Sequence, residues 1–252
     1  MAQSGRKLTE LVGRLKEALG ASLESVTLYG SAARGDFHEG HSDLNVLCVT
    51  QSLAIAELKR VAPTVQWWTQ KEKEPAPLFF TENELKESAD VFAVELLDMQ
   101  RDHRVLFGKD IIADIPVPMN LHRVQVEHEL RTLVLKLRQH FLHSLGAERE
   151  LAVALTQSIS SATTLLRHAL IALGETMPSA REAVFVRVEE MTGAPAGVFQ
   201  SAFDLRSPEK TSATGDIALK YGAYLQGLEK VIETLNRHVP KRQWQRIAKT
   251  GS

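Results

Sequence analysis

The chain has 252 residues, 44% of them hydrophobic and 24% charged, with 30 Lys and Arg against 31 Asp and Glu and a formal net charge of −1. That length can bury one large core or two smaller ones, and the composition excludes a disordered tail protein, a collagen and a small disulfide scaffold. Near-neutrality excludes a binder of polyanions over its whole surface, though not a local basic patch.

The first residues, MAQSGRKLTELVG, contain no apolar stretch of signal-peptide length, and no run approaches the roughly 20 apolar residues that span a bilayer, so a cytoplasmic location is expected. Leu8, Leu11, Val12, Leu15 and Leu19 recur at helical spacing and predict a helix over residues 7–19. A β-rich run, Val26 to Tyr29, follows and is stopped by Gly30. Residues 30–42 read as a loop that opens a short helix at Ser31, and Asp43 to Thr50 reads as a second strand. Cys48 lies inside it, in LNVLCV. As the single cysteine it can form no intrachain disulfide, and its apolar setting makes it a small buried hydrophobe.

Residues 53–72 read as helix, interrupted or restarted near Pro63. Leu78 to Phe80 is a short strand, Thr81 with Glu84 three residues on has the form of a capping box, and residues 91–97 and 103–108 read as two further strands. Beyond about residue 119 long helical periods take over. One stripe is Leu130, Leu133, Val134, Leu137, Phe141 and Leu145; a second runs from Leu155 to Leu173; a third runs from Ile217 to Leu235. Shorter helices are expected over 179–192 and 196–204. The two prolines of Ile115-Pro116-Val117-Pro118 suit an extended linker.

The fold class expected is therefore an α/β (α+β) domain with a short mixed sheet over 1–117, then an all-α helical bundle over 118–240 and a basic tail over 241–252. Charge divides along the same line. Residues 1–117 hold 13 basic and 18 acidic side chains, a balance of −5, and residues 118–252 hold 17 and 13, a balance of +4. The tail, with Trp244 among its basic residues, reads as a solvated C-terminus rather than a nucleic-acid contact.

The stretch that carries chemistry is Leu28-Tyr29-Gly30-Ser31-Ala32-Ala33-Arg34-Gly35, followed by Ser42-Asp43-Leu44-Asn45-Val46. A strand that ends in Gly-Ser at the start of a helix can cradle phosphate. Glycine admits a close backbone approach, serine adds a hydroxyl, and free amide groups face the anion. Arg34 can add a charge-assisted bond to a triphosphate. Asp43 and Asn45, two apart on a strand, leave the same face and can offer oxygen ligands to Mg²⁺. Glu95 lies in Val91-Phe92-Ala93-Val94-Glu95-Leu96-Leu97, a run apolar on both faces, where an ionised carboxylate needs a cation or a donor.

These residues resemble the DNA polymerase β-like nucleotidyltransferase superfamily, above all its minimal and antibiotic-modifying members. The likeness rests on GSAARGDFHEGHSDLN and VELLDM and covers roughly residues 20–110. It implies transfer of a nucleoside monophosphate from an NTP, ATP being the expected one, to an acceptor with release of pyrophosphate, helped by Mg²⁺ (or Mn²⁺). Carried over, Gly30, Ser31 and Arg34 would hold nucleotide phosphates, Asp43, Asn45 and Glu95 the metal, and Asp43 and Glu95 the catalysis. The family's second carboxylate is Asn45 here, which brings an oxygen without a charge. The alternative is thus a catalytically impaired relative that binds nucleotide or a partner. The partners expected are the NTP and an acceptor, a small molecule rather than nucleic acid, with no membrane, and a homodimer is compatible with the reading.

Two other patterns carry less. His38 and His41 could pair on a metal, but in so polar a loop they read as solvated. Arg123 to His128 and Arg138 to His143 fit the Arg-x4–6-His spacing of RNA-cleaving HEPN helical domains, which the helical half resembles loosely. In the same helix Arg123, Glu127 and Arg131 form an ordinary i,i+4 charge ladder. The sequence holds no GxxxxGK[ST], HExxH or GxSxG.

Overall fold

The structure, a computed structural model, describes residues 2–34, 43–176, 180–206 and 216–238. The chain divides into two compact units, Met1–Pro118 and Met119–Ser252. His38, His41 and the basic tail lie outside the described residues, as does the side chain of Arg34.

In the first unit α1 (Ala2–Leu19) leads through a 3₁₀ turn into β1 (Leu23–Tyr29) and the one-turn helix α2 (Ser31–Arg34). Then come β2 (Asn45–Thr50), α3 (Ile55–Gln70), β3 (Leu78–Phe80), α4 (Glu82–Ser88), α5 (Ala93–Arg101) and β4 (His103–Gly108). The sheet order is β3-β2-β1-β4. β1 is antiparallel to both β2 and β4, while β2 and β3 are parallel, as the α3 crossover between them requires.

Alternation along β2 supplies two cores. Val46 and Cys48 join Val26 and Leu28 against Leu8, Leu11 and Leu15 of α1 and Val61 and Trp68 of α3. Leu47 and Val49 turn the other way, onto Leu85 of α4, Leu96 and Met99 of α5, and Ile111, Ile112 and Ile115. Trp68 is fully buried and its Nε1 donates to the Pro75 carbonyl at 2.9 Å, which pins the segment after α3. The Cys48 thiol is buried, and burial pushes its pKa up, as suits an inert core residue.

The capping box is present: Thr81 Oγ1 accepts from Glu84 N–H, and the Glu84 carboxylate accepts from Thr81 N–H at 2.8 Å. Three expectations are corrected. Pro63 does not break α3, which runs unbroken through it; the ring sits on the exposed side while Val61, Thr64 and Trp68 hold the helix down. The strand expected over 91–97 is instead the start of α5. Ala93, Val94, Leu96 and Met99 are its buried positions and Glu95 is exposed, so an apolar run that suits a buried strand is used as a helix. β2 begins at Asn45, and Asp43 precedes it.

The second unit is helical: α6 (His122–His143), α7 (Glu148–Ala172), α8 (Arg181–Thr192), α9 (Ala196–Asp204) and α10 (Ile217–Arg237). The stripe from Ile217 to Leu235 is buried as expected, and so is that from Leu155 to Leu173. Leu145 leaves the first stripe: it follows α6 in the left-handed region and is 92% exposed. The core also buries polar groups. His122 Nε2 and His168 Nδ1 lie 2.9 Å apart, and Arg123 Nη1 donates to Glu127 and to the Leu235 carbonyl. Arg131 completes the charge ladder on Glu127 at 2.8 Å. Among the described residues no helix is long and apolar enough to cross a membrane.

Candidate phosphate-binding turn

β1 delivers the chain to Gly30, whose φ of +80° lies in the left-handed region that favours glycine. Two backbone bonds hold the turn: Gly30 N–H donates to the Asp102 carbonyl at 2.9 Å, and the Gly30 carbonyl accepts from Ala33 N–H at 3.0 Å. Among the described residues other than its two chain neighbours, a Cβ built on Gly30 would meet Asn45 Nδ2 alone within 4 Å, at 3.6 Å. The Asn45 amide therefore stands directly beside the Gly-Ser turn. With α2 a single turn long, a phosphate here would be held by the backbone of the turn more than by a helix dipole.

Register places the neighbours. Tyr29 pairs with Asn45 on one side and with His103 on the other. Residues opposed in an antiparallel pair share a face, so Asn45, Tyr29 and His103 form one row, with outer strands about 10 Å apart. Asp43 is exposed beyond the end of β2, and its successor Leu44 is buried. That junction is anchored: Leu44 N–H donates to Glu74 Oε2 at 3.0 Å, and Glu74 Oε1 accepts from Lys7 Nζ at 2.8 Å.

The structure thus brings Gly30, Ser31 and Asn45 together, with Asp43 two residues upstream of Asn45. Glu95 lies on the exposed side of the first turn of α5. Asp102, the residue that meets Gly30, lies seven residues further on, about 10 Å along the helix at 1.5 Å per residue. Asp98, three residues from Glu95, pairs with Arg101 at 3.1 Å, and Arg101 Nε also donates to Asp102 Oδ2 at 2.6 Å.

Among the described residues no three His, Cys, Asp or Glu side chains converge as a metal site. Mg²⁺ in phosphate chemistry is often held by one or two carboxylates together with substrate phosphate oxygens. The Asp43 carboxylate and the Asn45 amide fit that smaller demand, one ion shared with a polyphosphate. They do not fit a pair of ions bound by three protein carboxylates.

Three anchoring residues were not singled out from the sequence: Glu74, His103 and Asp110. His103 Nε2 lies 3.1 and 3.0 Å from the two Asp110 carboxylate oxygens, and its Nδ1 lies 3.1 Å from the Gln100 carbonyl. The only sequence signal for this pair is a histidine opening a strand in HRVLFGKD, with an acid seven residues later.

No family model matches the chain, and no curated protein matches it. Among solved structures it is similar to spectinomycin adenyltransferase AAD(9) from Enterococcus faecialis, determined with ATP and spectinomycin. The two are 13% identical, the match covers 88% of this chain and 99% of that one, and the TM-score is 0.49.

Proposed function

We propose that the α/β unit is a nucleotidyltransferase that binds an NTP, ATP first among them, at the Gly30-Ser31 turn and moves its nucleoside monophosphate to a small-molecule acceptor. The observation that carries this reading is the left-handed Gly30 turn with the Asn45 amide beside it and, among the described residues other than its chain neighbours, no other side chain within 4 Å of a built Cβ. In the reaction an acceptor hydroxyl oxygen attacks the α-phosphorus. The bond from that phosphorus to its bridging oxygen breaks, pyrophosphate leaves, and the hydroxyl proton passes to a base. Gly30 lets the phosphates approach the backbone, Ser31 donates its hydroxyl to them, and Arg34 adds charge. Asn45 is placed to donate Nδ2–H towards the turn. Asp43 and the Asn45 oxygen are the donors that would hold Mg²⁺ or Mn²⁺, which when bound neutralises charge on the triphosphate. Glu95 is given no role in this proposal: it lies on the exposed side of the first turn of α5, seven residues before Asp102.

A second reading has one observation in its favour. With Asn45 in place, the strand offers one carboxylate where the resemblance implies two, which suits a module that binds nucleotide without transferring it. Calorimetry with a non-hydrolysable Mg-ATP analogue tests both readings at once. Binding should occur and weaken roughly tenfold, about 1.4 kcal/mol, in Asp43→Ala, while Asn45→Asp should strengthen its dependence on Mg²⁺. Absence of binding, or indifference to Asp43→Ala, overturns the nucleotide site. Pyrophosphate release with Mg²⁺ or Mn²⁺ across a panel of hydroxyl acceptors then separates the enzyme from the binding module.

A further inference from the structure

The bond that ties the Gly30 turn to the neighbouring strand runs to the carbonyl of Asp102, the last residue before β4. Whatever fixes the corner between α5 and β4 therefore fixes the turn. His103, the first residue of β4, is fixed from both ends of its ring: Nδ1 faces the Gln100 carbonyl at 3.1 Å and Nε2 faces the Asp110 carboxylate at 3.0 Å. A carbonyl and a carboxylate only accept, and a neutral imidazole has a single N–H, so both contacts are satisfied together only by the doubly protonated ring. The Asp110 carboxylate also accepts from Ala113 N–H at 3.2 Å. Gln100, one turn of chain earlier, donates its side-chain amide to the carbonyls of Ile112 and Ile115 at 3.0 and 2.7 Å. The corner and residues 110–115 are thereby stitched to each other from two sides.

We propose that the His103–Asp110 pair is the positioning device of the nucleotide site: an imidazolium locked between α5 and the segment after β4, holding the Asp102 carbonyl where Gly30 needs it. This rests on the reading of the Gly30 turn as a phosphate site. His103 is a positioning residue and not a catalytic one, because both of its N–H groups are already taken.

The surrounding charges agree. Asp110 faces the ring directly, Asp102 precedes it and is paired with Arg101 of α5, Asp98 shares Arg101, and Arg104 and Lys109 are exposed. Tyr29 and Asn45 continue the row on β1 and β2. Burial works against the charged ring, yet the Asp110 carboxylate outweighs it and holds His103 above its ordinary pKa, while the same bond holds Asp110 below the usual carboxylate range. The pair is therefore intact between the ordinary carboxylate and histidine values. It opens as pH rises through the raised value of His103 or falls through the lowered value of Asp110.

Amide hydrogen exchange of the full chain tests the device without any nucleotide. In His103→Gln and Asp110→Asn, residues 29–34 should exchange roughly tenfold faster than in the wild type at the same pH, with the double variant no worse than either single one. Arg104→Gln, which removes an exposed neighbouring charge, should leave that protection as it was. Unchanged protection in a folded His103→Gln chain overturns the proposal. Should the variants not fold, nuclear magnetic resonance on the wild type decides: both nitrogens of His103 should be protonated at pH 6.5, and a neutral ring there overturns it. Affinity for the Mg-ATP analogue is the second arm. Wild-type affinity should fall severalfold as pH rises through the His103 titration, and His103→Gln should be weak and flat. A wild type that binds no nucleotide defeats the phosphate-site reading instead, and leaves the exchange result to decide the lock.

Discussion

His103 in the sheet unit and His122 in the helical unit are both shielded from solvent, and they are tuned in opposite directions. His103 faces two acceptors, one of them an ionised carboxylate, so its charged form is the one that fits. His122 faces another histidine at 2.9 Å inside a helical core, where burial and then repulsion from His168 push its pKa down to about 4. The two units place these polar groups differently. Around the sheet they tie chain segments to the end that carries the turn: Lys7 and Glu74 hold Leu44, and His103 and Asp110 hold the α5–β4 corner. In the helical unit they are enclosed between helices, and apolar packing sets the geometry around them.

The largest expected effect tests whether the anchors depend on the core beneath them. Trp68 is fully buried, and its indole fastens the carbonyl of Pro75, next to Glu74. Trp68→Ala should cost about 3–5 kcal/mol in chemical denaturation. Trp68→Phe keeps most of the volume, loses the donor to Pro75, and should cost about 1–3 kcal/mol for the orphaned carbonyl. If Trp68→Phe leaves Asp43→Ala-sensitive nucleotide binding untouched, the Glu74 anchor does not depend on that hydrogen bond.

Much of the sheet was legible because period-two patterning is local. β4 was read with its observed bounds, and the capping box at Thr81 was read from two residues three apart. The three corrections come from features that local pattern does not decide. The run Val91 to Leu97 is apolar on both faces, which a central strand and a buried helix satisfy equally, and tertiary packing onto Leu47 and Val49 selects the helix. Pro63 disfavours helix locally and is overruled by the contacts of Val61, Thr64 and Trp68. The anchoring pairs are less legible still. His122 and His168 are 46 residues apart, and Lys7 meets Glu74 across 67, so only the fold reveals them. Gly30, Ser31 and Asn45 come together because they sit where one strand ends and its partner begins, a closeness the sequence already carries. For Glu95 the structure corrects the element, a helix in place of the expected strand.

The second effect concerns the two histidines themselves. The unfolded chain protonates His122 at its ordinary value of 6.5, whereas the folded chain resists until about 4. Stability is therefore full above pH 6.5 and falls as pH drops towards 4, by on the order of 2–3 kcal/mol for a group shifted that far. His103 has the opposite sign: its contribution is full below 6.5 and is lost as pH rises through its raised value. Calorimetric unfolding from pH 4 to 8 should show the acid loss shrink in His122→Leu and persist in His103→Gln. An acid loss unchanged in His122→Leu would remove the contrast.

The smallest effect on stability falls on the residue that matters most to the proposed site. Two glycines of the sheet have positive φ, and they differ in what surrounds them. A Cβ on Gly108 would lie 1.9 Å from the Glu24 carbonyl oxygen, so packing alone forbids a side chain there. Among the described residues beyond its chain neighbours, a Cβ on Gly30 meets Asn45 Nδ2 alone, at an ordinary 3.6 Å, so the penalty for Gly30→Ala is conformational, about 1–2 kcal/mol. Gly30→Asn should cost less, because asparagine enters the left-handed region more readily than alanine. Stability alone would therefore rank Asn above Ala. If phosphates approach the backbone here, affinity for the Mg-ATP analogue should rank them otherwise, since the longer side chain fills the space beside Asn45 and should abolish binding. Affinity that simply follows stability across Gly, Asn and Ala would make Gly30 a conformational hinge for the strand end, and the phosphates would have to be held elsewhere.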